Sequence, residues 1–204
     1  MSTTLPADDG QMRCRWCLAT SEYLHYHDTE WGFPVADDRH LFEKLSLEAF
    51  QSGLSWRTIL AKRDNFRAAF EGFDIDTVAR FGEKDVERLL TDAGIVRHRG
   101  KIEAVINNAR CAQTLIAQEG SLAAYVWSYE APHTAPFQLA STSAASVALS
   151  KDLKKRGWKF VGPTTVYAFM QAVGLINDHA QACVIRAQVD LTRVKFQRPS
   201  VARY

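Results

Sequence analysis

The sequence predicts an all-α protein, and two features of the chain support this class. Apolar residues recur every three or four positions through most of the chain, as on the buried face of a helix. Alternating apolar and polar stretches long enough to build a sheet are absent from the sequence. With 204 residues, 47% of them hydrophobic, the chain can also bury a core without disulfides. We therefore expect one compact helical domain, with the option of two lobes.

The expected helices follow one another with recognisable boundaries. Asp, Ser and Pro favour helix starts and Gly favours helix ends, which predicts starts at Asp37, Ser55, Asp74, Lys84, Ile102, Ser143, Pro163 and Asn177, and stops at Gly94, Gly157 and Gly174. Residues 130–142 hold two prolines and several Ser and Thr, which predicts a surface loop between lobes. Residues 1–11 are expected to be a flexible extension and 189–204 a loose basic tail, so the single main domain spans 12–188.

The charge distribution gives only a weak indication of partners. The net charge is +2, and locally basic stretches occur at 97–101, 151–159 and 186–203. Each stretch alone is typical of a solvated surface. The mean hydropathy is -0.21 and no apolar run reaches the roughly 20 residues of a membrane span. An N-terminal leader of the secretory kind is not recognisable, so we expect a cytoplasmic protein with reduced cysteines.

Two cysteines and two histidines have the residue types of a structural zinc site. His179 and Cys183 are four residues apart, which on a helix would place both side chains on one face. Cys14 and His27 lie near the other end, so the four residues could close a tetrahedral site that joins the chain's N- and C-terminal segments. Buried thiols and histidines without a metal are the alternative. Cys17 leaves another option open, because Cys14 and Cys17 have the spacing of a redox or zinc-knuckle turn.

Glu48 is predicted on the apolar face of its helix, three residues after Leu45. A carboxylate there is costly unless it is paired, bent into water at a helix end, or used to bind a ligand. The first quarter of the chain is also rich in aromatic residues, typical of either a core or a stacking pocket: Trp16, Tyr23, Tyr26, Trp31 and Trp56. Aromatic faces around one buried acceptor suit a flat, cationic ligand that donates hydrogen bonds.

Residues 92–101 have the pattern of a helix end, a short turn and a new helix start. Glycines flank the basic residues Arg97, Arg99 and Lys101 there. Backbone amides at a helix start, supported by such cations, can bind a phosphate without reading base sequence. An ordinary connection between two helices is an equally good interpretation of this segment taken alone.

Together these segments resemble the 3-methyladenine DNA glycosylase I family of the helix-hairpin-helix glycosylase superfamily. The similarity extends from about Met12 to Cys183. It rests on several blocks that occur in order at compatible spacing, namely 13–14, 23–32, 47–48, 51–56, 92–101, 154–162, 169–172 and 177–179. The architecture it implies is all-α, with a helix-hairpin-helix element.

The resemblance assigns roles to individual positions. It implies that zinc is held by Cys14, His27, His179 and Cys183, and that the base pocket consists of Glu48 with Trp16, Tyr23, Tyr26 and Trp56. It implies that the gap left by the extruded nucleotide and the DNA backbone are contacted by Gly53, Leu54, Arg97, Arg99, Gly100 and Lys101. Cys17 and Phe50 depart from the family pattern, and the tail beyond Arg186 is an extension without an assigned role.

The implied activity is that of a monofunctional DNA-3-methyladenine glycosylase in base excision repair. Its partner would be double-stranded alkylated DNA, its product free 3-methyladenine, its cofactor one structural Zn2+ per chain, and its form a monomer. The lesion would be flipped into the aromatic pocket, with Glu48 as hydrogen-bond acceptor. A counterpart of the aspartate that many relatives carry after the hairpin is not recognisable, which favours catalysis by binding geometry and electrostatics.

Two other classes of function are weaker interpretations of the same residues. A zinc-stabilised DNA-binding module without catalysis would keep the hairpin but has no use for Glu48 inside an aromatic cage. A zinc hydrolase needs an open coordination position, which two Cys and two His ligands would not leave.

Overall fold

The computed structural model describes residues 3–130 and 140–200, and these residues are mostly helical. They form eleven α-helices: α1 (Ser21–Thr29), α2 (Asp38–Gln51), α3 (Trp56–Leu60), α4 (Arg63–Ala69), α5 (Ile75–Ala79), α6 (Glu83–Thr91), α7 (Arg99–Glu119), α8 (Leu122–Trp127), α9 (Ala144–Lys155), α10 (Pro163–Ala172) and α11 (Val184–Lys195). Two short 3-10 helices occupy Arg15–Ala19 and Glu71–Phe73. The expected all-helical character is confirmed for most of the described chain.

The helix boundaries follow from local hydrogen bonds at their first turns. Asp37, Ser55, Asp74 and Ser143 each accept a hydrogen bond from a backbone N–H of the helix that follows. Pro163 begins α10, where its missing N–H costs nothing. These starts agree with the predicted ones, because the caps are local features that the sequence states directly.

Helix α2 is the centre of the core, and it packs against α3, α7, α8 and α10. Ten consecutive residues from Leu41 to Phe50 are buried, including the charged residues Glu43, Lys44 and Glu48. A helix surrounded in this way can hold a functional group away from water on any of its faces. Among the described residues, no helix is long and apolar enough to cross a membrane.

The N-terminal segment differs from the prediction of a flexible extension. Thr4–Pro6 forms strand β1, which pairs antiparallel with β2 at Met12–Cys14. Thr4 lies opposite Cys14 in this pairing. Three-residue strands are too short to give an alternating pattern, which explains why the sequence did not indicate them.

The C-terminal segment also differs from the prediction. No helix begins at Asn177; the last helix, α11, begins at Val184 and continues to Lys195, past the predicted boundary at 189. Val189 is fully buried, and the buried Arg193 binds Glu130 at 2.8 Å, so this part of the tail is packed. Most of the predicted loop at 130–142 lies outside the described residues.

Candidate functional site

Glu48 has the surroundings of a binding group. Its side chain projects from the last turn of the core helix α2, and the residue is only 5% exposed. One carboxylate oxygen, Oε2, is buried without a hydrogen-bond partner in the described part of the chain. Burial raises the pKa of Glu48 to about 8, although the positive charge of Lys44 opposes this shift. A buried acceptor left free in this way is rare in proteins and indicates a site that a ligand completes.

Aromatic side chains surround this carboxyl group. The rings of Tyr26 and Trp56 lie 5.4 Å apart, and those of Trp16 and Tyr23 lie 4.8 Å apart. Burial, followed by the negative charge of Glu48, raises the pKa of both tyrosines, so their hydroxyl groups lie within its electrostatic reach. Nε1 of Trp56 is a second buried polar atom for which the described residues supply no partner. Tyr23 and Tyr26 thus lie near Glu48, and Trp16 and Trp56 each contact one of these two tyrosines.

A buried ion cluster lies behind Tyr26, and sequence analysis missed it. Glu30 accepts hydrogen bonds from Lys44 at 2.9 Å and from Arg63 at 2.7 Å. Although burial raises the pKa of Glu30, the two cations lower it to about 2. The Lys44 ammonium lies 4.8 Å from the centre of the Tyr26 ring. The sequence contains one sign of this cluster, namely a charged residue, Lys44, at a buried position of a helix. The residues that bind Lys44 lie far from it along the chain.

A Cys/His cluster joins the two ends of the described chain. The ligand atoms of Cys14, His27 and Cys183 lie within 4.8 Å of one another, and all three residues are buried. His27 Nδ1 is held by Asp28 at 2.7 Å, which turns its Nε2 toward Cys183 Sγ at 3.5 Å. The hydrogen bond with Cys14, opposed by burial, lowers the pKa of Cys183 to about 3, which favours the thiolate that binds metal ions.

His179 lies beside this cluster but not on a helix. The prediction that His179 and Cys183 share one helical face is wrong, because residues 177–182 precede α11. The His179 ring instead packs edge-on against His27, with ring centres 4.7 Å apart. Its Nδ1 is held by Asn177 Oδ1 at 3.0 Å, and burial lowers its pKa to about 4. The His179 ring is therefore neutral and held in one orientation. It lies outside the group of ligand atoms formed by Cys14, His27 and Cys183.

Gly32 makes room for the His179 ring. A Cβ atom at Gly32 would lie 3.0 Å from His179 Cε1, and the backbone there has φ +87. Both conditions favour glycine at this position. Trp31, the neighbouring aromatic residue, also contacts His179, with ring centres 4.6 Å apart.

Cys17 occupies the turn after β2. Cys17 lies in the 3-10 helix Arg15–Ala19, which follows this short strand directly. Its Sγ donates to the carbonyl oxygen of Cys14 at 3.0 Å, and the residue is fully buried. Trp16 in the same turn contacts both Tyr23 and His27, so it connects the Cys/His cluster to the aromatic pocket.

Helices α6 and α7 are joined by the short turn 92–98, as the sequence predicted. Asp92 Oδ1 accepts from the N–H of Gly94, and Lys62 Nζ donates to the carbonyl oxygens of Ala93 and Gly94. His98 caps α7 by accepting from the Lys101 N–H at 3.2 Å. The turn is thus held from several sides.

The basic residues of this turn have three different environments. Arg97 is exposed. Arg99 is partly exposed and pairs with Glu83 at 2.7 Å, while Gly100 is half-buried in the first turn of α7. Lys101 is buried, and its Nζ donates to the carbonyl oxygens of Phe50 and Ser52 at 2.9 and 2.5 Å. The predicted phosphate contact of the Lys101 side chain does not fit this position, because the ammonium is already used at the end of α2.

The bonds of Lys101 fix the turn that follows α2. Gly53 there has φ +81, a left-handed conformation that favours glycine. Leu54 follows it and is 43% exposed, which is unusual for a leucine on a tight turn beside a core helix. The structure therefore places an exposed apolar residue a few positions after Glu48 along the chain.

A buried acceptor near aromatic faces suits a flat, cationic ligand. Comparison with known proteins is more specific. The family model described as methyladenine glycosylase matches residues 16–187. The chain belongs to the methyladenine glycosylase family.

Individual relatives agree with this assignment. DNA-3-methyladenine glycosylase 1 of Escherichia coli (strain K12) is 49% identical over 177 residues, which is 84% of this chain and 95% of that protein. A crystal structure of 3-methyladenine DNA glycosylase I matches with a TM-score of 0.79 and 50% identity, over 84% of this chain and 98% of the other. A tyrosine-to-phenylalanine variant of 3-methyladenine DNA glycosylase I, in complex with 3-methyladenine, matches with a TM-score of 0.79 and 36% identity, over 85% and 97% of the two chains.

Proposed function

We propose that this protein is a DNA glycosylase that hydrolyses the N-glycosidic bond of 3-methyladenine in alkylated DNA. Family membership and the names of its relatives support this activity, and one similar structure holds 3-methyladenine itself. Removal of the free base from DNA is the first step of base excision repair. The partner is double-stranded DNA that carries the lesion, and the protein acts as a monomer.

The free, buried Oε2 atom of Glu48 is the observation that carries the proposal. Methylation at N3 gives the adenine a positive charge while it is still attached to the sugar. A carboxylate inside an aromatic cage attracts such a ring more strongly than it would in water, because the local dielectric is low. Neutral adenine gains no comparable attraction, so Glu48 selects the damaged base.

The aromatic residues bind the faces of the base. Two ring pairs, Tyr26 with Trp56 and Tyr23 with Trp16, supply flat surfaces, and the tyrosine of each pair lies within the electrostatic reach of Glu48. Stacking of a cation on such rings adds a cation–π attraction. The enzyme reaches the base by extruding the nucleotide from the duplex, and the exposed Leu54 on its rigid turn fills the gap left behind.

Catalysis follows from the weak bond of the lesion. The cationic base is a good leaving group, because the electron pair of the glycosidic bond stays on it and it departs as neutral 3-methyladenine. The positive charge passes to the sugar, where water adds and loses a proton. The site therefore has to orient the base and stabilise the positive charge that develops on the sugar. Glu48 accepts a hydrogen bond from the base edge and provides the matching negative charge. Binding that is stronger for the transition state, in which the positive charge is shared between the departing base and the sugar, than for the intact nucleotide lowers the barrier.

The Cys/His cluster is the place for one structural zinc ion. Cys14, His27 and Cys183 offer two sulfur atoms and an imidazole nitrogen within 4.8 Å of one another, which is the donor set that zinc prefers. His179, held through Nδ1 by Asn177, would be the fourth ligand, through the Nε2 atom that now lies 3.4 Å from the carbonyl oxygen of His27. Zinc there would link β2, α1 and the start of α11, and it has no part in the chemistry of the base.

Analysis of the bases released from methylated duplex DNA tests the proposal. The glycosylase releases 3-methyladenine and leaves an abasic strand. A DNA-binding module without catalysis would shift the same duplex in a gel and release no base above the rate of the protein-free control, which would refute the proposed activity.

A further inference from the structure

The loop between α9 and α10 combines two unusual features. Phe160 has φ +56, a left-handed conformation that is rare for residues other than glycine and costly for an aromatic one. Its side chain is 39% exposed, so burial in the core does not compensate for the strain. Strained backbone persists when the surroundings enforce it, and it is concentrated at functional sites.

Buried polar side chains hold this loop from beneath. Asn108 on α7 is only 2% exposed, and its side chain binds both backbone groups of Lys159, donating to the carbonyl oxygen at 2.9 Å and accepting from the N–H at 2.8 Å. Ser150 on α9, also buried, donates to the carbonyl oxygen of Val161 at 2.6 Å. The fold therefore uses two buried hydrogen-bonding residues to present an exposed Lys–Phe pair in one conformation.

The loop lies beside the start of α7. Two turns that were predicted to contact DNA, the one with Leu54 and the turn 92–98, lie near the same helix start. The ring of His98, which caps α7, lies 6.3 Å from the ring of Phe160. Lys101, one turn further along α7, donates to Phe50 and Ser52, next to the turn that carries Leu54. Three exposed features thus surround the start of α7: the Leu54 turn, the 92–98 turn and the Phe160 loop.

The charge of the loop suits a polyanion. Residues 157–162 contain Lys159 and no acidic residue, and the end of α9 before them contributes the exposed Lys154 and Lys155. Arg97 in the neighbouring turn is exposed as well. Cations on one surface attract the phosphates of DNA over a distance of about one Debye length, roughly 10 Å at moderate salt.

We propose that Lys159 and Phe160 form a DNA-binding contact beside the 92–98 turn, with Phe160 packed against the sugars of one strand and Lys159 on an adjacent phosphate. This inference rests on the proposed function, because it takes duplex DNA as the ligand. The rigid loop holds the duplex beside the start of α7 while the nucleotide is extruded. A preformed contact loses little conformational entropy when DNA binds.

The test is the affinity for a duplex that contains a stable abasic-site analogue, measured by fluorescence anisotropy at several salt concentrations. We expect Phe160→Asn to raise Kd about tenfold, a cost of ~1.4 kcal/mol. Phe160→Tyr keeps the aromatic face and stays within about twofold of the wild type. Lys159→Met reduces the salt slope by about one unit.

Melting temperature separates a binding role from a structural one. Asparagine tolerates a left-handed backbone, so Phe160→Asn keeps or raises the melting temperature. Leu191→Asn is the matched control, because Leu191 is a 63% exposed apolar residue on α11, and it leaves Kd unchanged. A fall in melting temperature with unchanged Kd would show that Phe160 only supports the fold and would overturn the inference.

Base release by the wild-type protein, measured in parallel, distinguishes the two proposals. Wild-type release together with unaltered DNA binding by Phe160→Asn and Lys159→Met overturns this contact and leaves the glycosylase activity standing. Weaker DNA binding by both variants supports the contact, even if the wild type releases no 3-methyladenine and the proposed activity fails.

Discussion

Replacing Glu48 by Gln removes a charge and almost no volume, so its effects on stability and on activity have opposite signs. The pKa of Glu48 is about 8 in the folded protein, against a usual value of 4.5. Between these values the unfolded chain has lost its proton while the folded protein keeps it, so wild-type stability falls as the pH rises through this window. Glutamine has no such proton. The variant should therefore gain up to about 3 kcal/mol over the wild type at pH 7 and nothing at pH 4.

Activity should fall in the same variant. The lost interaction is a charge-assisted hydrogen bond to a cationic ring, and such bonds contribute about 1.5–3 kcal/mol, which corresponds to roughly 10- to 150-fold in rate. Single-turnover release of 3-methyladenine from methylated duplex DNA measures this loss. Thermal or urea unfolding of the same preparations at pH 4 and pH 7 measures the gain in stability.

Glu43→Gln is the matched control for this experiment. Glu43 is buried on the same helix but binds Arg67 at 2.8 Å, so its charge already has a partner. We expect this control to lose stability and to keep base release. The reasoning is refuted if Glu48→Gln releases the base at the wild-type rate, or if it loses activity only because it unfolds.

Three further predictions follow from the other contacts. His179→Ala should lower both the zinc content, expected at about one ion per chain, and the melting temperature, since a metal bound only by the folded state adds its binding free energy to folding; full metal content in this variant would contradict the assignment. Arg97→Met should reduce the salt slope of DNA binding by about one unit. Lys101→Met should instead lower the melting temperature, because the Lys101 ammonium binds two carbonyl oxygens. The same effect in both variants would contradict the environments assigned to Arg97 and Lys101. The wild-type kcat/KM for excision should rise with pH and level off above a pKa of about 8, because Glu48 loses its proton in the free enzyme over this range. Glu48→Gln should not show this rise.

The sequence was informative where structure depends on local chemistry. Capping residues such as Ser55 and Asp74 fix helix starts through their own side chains, so those boundaries could be predicted. Glu48 was conspicuous because a carboxylate at an apolar helical position is costly. The resemblance to a family then supplied partners for residues far apart in sequence.

The failures concern contacts that no local pattern records. His179 lies beside the Cys/His cluster in a loop where Asn177 holds its ring, and helical spacing gave a wrong reason for this proximity. Lys101 lies in a basic segment, yet its ammonium binds carbonyl oxygens some 50 residues earlier in the chain. Lys44 on α2 pairs with Glu30 at the end of α1, and no local sequence pattern indicates this contact either. A charge run indicates the presence of cations but not their direction.

The structure of the protein in complex with 3-methyladenine is the most direct test of the account. We predict that the base lies between the Tyr26 and Trp16 sides of the pocket, with a ring nitrogen or amino group within hydrogen-bond distance, about 2.7–3.2 Å, of the Glu48 carboxylate. The free Oε2 atom of Glu48 would then have its partner. A base bound elsewhere, or a Glu48 carboxylate that stays unpaired beside it, would contradict the central claim.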